Sequence, residues 1–128
     1  MEHKETFNQK FRDRTKRFAV EVFNLCNAFS HKSNARTIIY QLIKSSSSVA
    51  ANWRAACRAR SENEFYAKVC IVVEEADETL FWLEFINDTG LDQSMEQKRL
   101  QSESNEILLI VSAIKSRNAP GTKTSPQK

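Results

Sequence analysis

Glycine and proline are nearly missing, with two of each in 128 residues. The tight turns and bulges of all-β folds then have almost nothing to be built from, and helices become the expected element. Gly90 and Gly121 alone cannot form a Gly-rich phosphate-binding loop. No run of about 18 apolar residues occurs, which argues against a membrane span. The N-terminal stretch MEHKETFNQKFRDR is charged where a signal peptide would need an apolar core. A cytoplasmic protein without membrane contact is expected.

Histidine is equally scarce. His3 falls in a terminus and His31 in a turn, and neither follows a Glu by three residues on a helix. The Glu-x-x-His pairs of carboxylate-bridged di-metal bundles are therefore missing, and a Cys/His zinc site has no better support. Cys26, Cys57 and Cys70 are odd in number, lack CxxC spacing and sit among apolar residues, so they read as reduced core thiols. Ser45 to Ser48 resemble a nucleophile cluster, but no helical histidine can serve as their base. Glu75 and Glu78 lie one turn apart, as an acid and a base would, yet nothing else suggests a pocket around them, and they read as a solvated or salt-bridged helix face. No enzyme, cofactor or metal is expected.

What the chain does have is periodicity. Its length suits one domain with a single core. Phe11, Phe18, Val22, Leu25 and Phe29 mark a helix over about residues 6–31. The linker after it offers Ser33 or Asn34 as a cap for a second helix over about 35–60, with Ile39, Leu42, Ser46, Val49, Trp53 and Ala56 on one face. Ser61-Glu62-Asn63-Glu64 reads as a capping box opening a third helix over 62–87, striped by Phe65, Val69, Val72, Ala76, Leu80 and Leu83. Gly90 supplies its stop. A fourth helix over about 93–117, starting near Asp92 or Ser94, carries Leu100, Ile107, Val111 and Ile114. Residues 118–128 lack periodicity and read as a disordered tail beyond a single domain over 1–117. Short linkers make neighbouring helices antiparallel, so the expected fold is all-α, an up-down-up-down four-helix bundle.

Two surface features exceed what a monomeric bundle requires. The second helix is uncharged from Ser45 to Trp53, and Ser48, Ala51, Ala55 and Ala59 fall on the side away from its core stripe. On the third helix Phe81, Trp82 and Phe85 point away from Phe65. Small residues that allow close approach and aromatics turned outward both suggest an interface with another copy of the chain. The plainer reading is serines that face water, with Trp82 and Phe85 packed at a bundle corner or under the linker to the fourth helix. The net charge of +3 is too modest for a dedicated nucleic-acid binder, but it is unevenly spread. Arg12, Lys16 and Arg17 crowd the first helix, Arg54, Arg58 and Arg60 end the second, and Lys68 follows. Such a cluster could grip phosphates, whereas the plainer reading is a solvated face paired with the acids of the third helix.

The stretch from Ser45 to Ser61, with Phe65 and the block Glu74 to Glu84, resembles the bacterial four helix bundle proteins, which include those encoded by intervening sequences in 23S rRNA genes. The likeness covers about residues 10–116. The family's S-V-x-A-N-type motif falls on Ser48 to Asn52, its R-x-R-S segment on Arg58 to Ser61, and its aromatic-Leu-Glu signature on Trp82 to Glu84. Relatives commonly carry a Glu where this chain has Ala55. The resemblance implies an antiparallel bundle assembled as a five-fold ring, without established enzymatic activity. A more distant likeness to the accessory variability protein of diversity-generating retroelements implies nucleic-acid binding by the basic surface of such a ring. The expected partners are thus further copies of the chain, in a homopentamer, and RNA or DNA, with a protein-interaction scaffold of unknown partner as the alternative.

Overall fold

The computed structural model of the chain describes residues 6–121. It contains four helices, α1 (Phe7–Phe29), α2 (Ala35–Cys57), α3 (Glu62–Asp88) and α4 (Met95–Asn118), and no strand among the described residues. The start of each helix has a local cause. At α1 the Thr6 hydroxyl accepts from the Gln9 N–H at 3.2 Å while the Gln9 side chain accepts from the Thr6 N–H at 3.0 Å, a complete capping box. At α3 only half of the expected box forms. Ser61 Oγ accepts from Glu64 N–H, but the Glu64 carboxylate reaches one residue further back and takes the Arg60 N–H at 2.8 Å. Asn34 precedes α2 in a left-handed conformation, φ 66°, with no side-chain capping bond. Ser94 caps α4 through the Gln97 N–H.

The stop at Gly90 operates as expected. With φ at 74°, Gly90 donates to Asn87 O and Leu91 donates to Ile86 O, the paired bonds of a Schellman ending. Leu91 then packs against the core. At the other terminus α4 runs through Asn118, one residue into the expected tail, and residues 122–128 lie outside the described residues, as does His3.

Each helix buries a seam spaced by threes and fours. On α1 it is Phe11, Thr15, Phe18, Val22, Leu25 and Phe29, and on α3 it is Val69, Val72, Ala76, Thr79, Leu83 and Ile86. Thr79 thus takes the seam position expected of Leu80, which is only half-buried. Hydroxyls fill several seam positions, among them Thr15, Ser45, Ser46 and Thr79, each no more than 1% exposed. They cost little there because each donates to a carbonyl of its own helix: Thr15 to Arg12, Ser45 to Leu42, Ser46 to Ile43 and Thr79 to Glu75. Their small volume lets helices approach closely, and α2 with α3 is the most extensively packed pair.

Neighbours in sequence are neighbours in space, and α4 closes the square against α1 with the sparsest packing. Charge contributes to that seam: Arg14 binds Glu103 through two N–H groups at 2.7 and 2.9 Å and also meets Glu106, while Arg99 bridges Glu21 at 3.2 Å. Of the cysteines only Cys26 is a core thiol, and burial pushes its pKa up to about 12. Cys57 and Cys70 are half-buried, a correction to the uniform core reading.

Candidate nucleic-acid interface

α1 and α2 meet along a groove of about 680 Å³. Its floor follows from side-chain size: Ala19 on α1 and Ser47, Ala50 and Ala51 on α2 are too short to fill the space between the two helices. Val20 and Phe23 form its α1 wall and remain about half exposed, at 50% and 51%, with Ile43 opposite. Toward the end where α1 begins and α2 stops, the lining changes to Arg12, Lys16, Arg54 and Arg58, with Asp13 as its one acid.

Those four cations make no ion pair among the described residues. Arginines that do pair with carboxylates include Arg14 with Glu103 and Glu106, Arg60 with Glu64, and Arg99 with Glu21 and Glu96. Of the plainer expectation, a solvated face paired with the acids of α3, the exposure is there for Arg54 and Arg58, while no ion pair to α3 occurs among the described residues. Arg12 and Arg58 also bear on Cys57 at the same end. Burial raises the pKa of that thiol, and the two guanidiniums hold the rise back.

The expected basic residues are thus only partly brought together. Arg12, Lys16, Arg54 and Arg58 share the groove. Arg17 is exposed outside it, Lys68 is half-buried on α3, and Arg60 turns toward Glu64 at 3.4 Å. Of the residues expected at an interface, Ala51 lines the groove, while Ser48, Ala55 and Ala59 are half-buried. Phe81 and Phe85 do face outward, and Trp82 is half-buried, donating its indole N–H to Glu78 at 3.2 Å. Glu75 and Glu78 line neither the α1–α2 groove nor the one between α3 and α4. Burial raises the Glu75 pKa and the charge of Glu78 adds to the rise.

Val20 and Phe23 lie outside the apolar stripe that marks α1 in the sequence, and two large apolar residues three apart on its polar side are the signal that points to them. A second, polar groove of about 430 Å³ lies between α3 and α4, lined by residues that include Glu84, Asn87, Lys98 and Gln101. Among the described residues no group of three or more His, Cys, Asp or Glu side chains could hold a metal ion, and no helix is long and apolar enough to cross a membrane.

Fold and groove define the class: an antiparallel four-helix bundle whose outer face carries an apolar trough with a cationic end. The chain belongs to the 23S rRNA-intervening sequence protein family, whose profile matches residues 8–113. It is similar to a solved structure, a protein with unknown function from the S23 ribosomal protein family of Bacteroides thetaiotaomicron VPI-5482. That likeness has a TM-score of 0.75 at 29% identity, over 81% of this chain and 96% of the other. No curated protein matches it.

Proposed function

We propose that the protein is a non-enzymatic, cytoplasmic homo-oligomer that binds structured RNA through the cationic end of the α1–α2 groove. The observation that carries this reading is the convergence of Arg12, Lys16, Arg54 and Arg58 in one groove, none of them paired with a carboxylate among the described residues. Cations without internal partners are free to displace counterions from a phosphate backbone, which gives affinity without base readout. The family's tie to 23S rRNA intervening sequences makes RNA the first polyanion to test. The resemblance to ring-forming relatives supports a pentamer.

The test is titration with a structured RNA at several salt concentrations. Affinity should fall as salt rises, and Arg54→Ala/Arg58→Ala should weaken binding and lower the slope of log affinity against log salt by about one per cation removed. Absence of binding at low salt removes the assignment. The alternative, a scaffold for another protein, is favoured by the outward aromatics of α3, and a partner captured equally well after nuclease treatment would support it.

A further inference from the structure

α3 turns outward a face with no use inside a single bundle. Phe81 is 52% exposed and Phe85 37%, their ring centroids 6.0 Å apart, and Trp82 braces both at 4.9 and 5.5 Å. Helical spacing places Glu74, Asp77, Glu78, Glu84 and Asp88 around Phe81 on the same side, and all are exposed. None of these carboxylates makes an ion pair among the described residues. The groove on the opposite pair of helices has the inverse character: a cleft that is cationic where the aromatic cluster is ringed by acids, its cations likewise making no ion pair among the described residues.

The two faces also agree in height. Asn8 O accepts from the Trp53 indole and the Trp53 ring meets Phe65, contacts that set how α1, α2 and α3 run past one another. Counting along the helices from these ties, at equal rise per residue, puts Phe23 of α1 and Phe81 of α3 both at about the level of Ile38. The same count puts Glu74 at about the level of Lys16. A rotation about an axis parallel to the helices keeps every residue at its height. It would carry the aromatic cluster of one copy to the apolar half of the groove on the next, and Glu74 toward Lys16.

We propose that the apolar half of the α1–α2 groove, walled by Val20 and Phe23, is the seat of the Phe81–Trp82–Phe85 cluster of a second copy of this chain. The contact is head-to-tail, so each copy contributes two different surfaces. This rests on the oligomeric reading above and adds to it which surfaces meet. It also divides the groove. The neighbour covers Val20 and Phe23, while Arg54 and Arg58, nearer the end of the bundle, stay open to a polyanion.

Cysteine cross-linking tests the pairing, because Phe23 and Phe81 are both exposed and replaceable without disturbing the core. In a Cys57→Ser/Cys70→Ser background, reduced Phe23→Cys and Phe81→Cys chains are each oxidised alone and, in a parallel sample, mixed to exchange subunits and then oxidised together. Disulfide-linked dimers are expected only in the mixture, and the double variant should give a ladder of longer species. Dimers from either variant alone would mean that like faces meet, and an oligomer that does not cross-link in the mixture would place the contact elsewhere. Either result overturns the pairing and leaves oligomerisation intact. A light-scattering mass of one 14.7 kDa chain overturns both. As a second arm, Lys16→Glu and Glu74→Lys should each weaken association several-fold and together restore it. No restoration counts against the pairing. RNA titration of Arg54→Ala/Arg58→Ala remains a separate readout, so failure of the seat and failure of the RNA reading are distinguishable.

Discussion

Trp53 does more for the bundle than fill volume. Fully buried, it meets Phe11 edge-on at 5.2 Å and Phe65 at 6.0 Å, and its indole N–H donates to Asn8 O at 3.3 Å. One side chain of α2 therefore ties the start of α1 to the start of α3. Trp53→Ala should cost about 3 to 5 kcal/mol, as expected for removal of a large buried aromatic. Trp53→Phe keeps most of the ring contact and loses the hydrogen bond, so about 1 kcal/mol is expected from that bond. Urea midpoints measure both, and an unchanged m-value would show that the unfolded reference is the same. A Phe variant as unstable as the Ala variant would mean that the hydrogen bond, not the ring, holds this end together.

Helix existence and approximate extent were legible in the sequence because apolar residues at threes and fours can belong only to a helix with one buried side. Trp53 and Leu42 announced the face of α2, and Gly90 announced the end of α3. The buried hydroxyls were less legible. Thr15 and Thr79 occupy seam positions that an apolar stripe leaves blank, and their burial depends on a bond to their own helix that no spacing reveals. The second arm of the Ser61 cap went astray for a similar reason, since Glu64 has two backbone N–H groups within reach and geometry chooses Arg60. The groove was the least visible feature, because it exists only once α1 and α2 lie side by side with Ala and Ser between them. Tertiary ion pairs such as Arg14 to Glu103, 89 positions apart, were equally out of reach. That pair defines a prediction for the α1–α4 seam. Arg14→Ala should destabilise by about 1 kcal/mol at low salt, a modest value because the side chain is 26% exposed and water screens it. Most of the difference from wild type should vanish in 1 M salt. Denaturant curves at both salt levels check it, and a loss indifferent to salt would assign the role of Arg14 to packing of its stem.

At the scale of the whole molecule, the net charge of +3 hides a separation of sign, with cations at the end of one groove and carboxylates around one aromatic cluster, neither set ion-paired among the described residues. Assembly that covers the second and leaves Arg54 and Arg58 open couples RNA binding to oligomerisation, with Lys16 the one groove cation that the contact between copies also uses. Several copies present several cationic ends, and an RNA long enough to reach two of them meets the second at high effective concentration. Phe81→Asp places a charge at the centre of the aromatic cluster and should release single bundles without touching Arg54 or Arg58. On a long structured RNA its apparent affinity should then fall by roughly 10²-fold or more, in the range that multivalency supplies. On a short hairpin spanning one copy, affinity should stay at the wild-type value. Comparing the two RNAs in one salt condition makes the measurement, with light scattering to verify that the variant is monomeric. Equal losses on both RNAs would mean that the α3 face itself contacts nucleic acid. No loss on either would mean that each bundle binds alone, leaving assembly without a part in recognition.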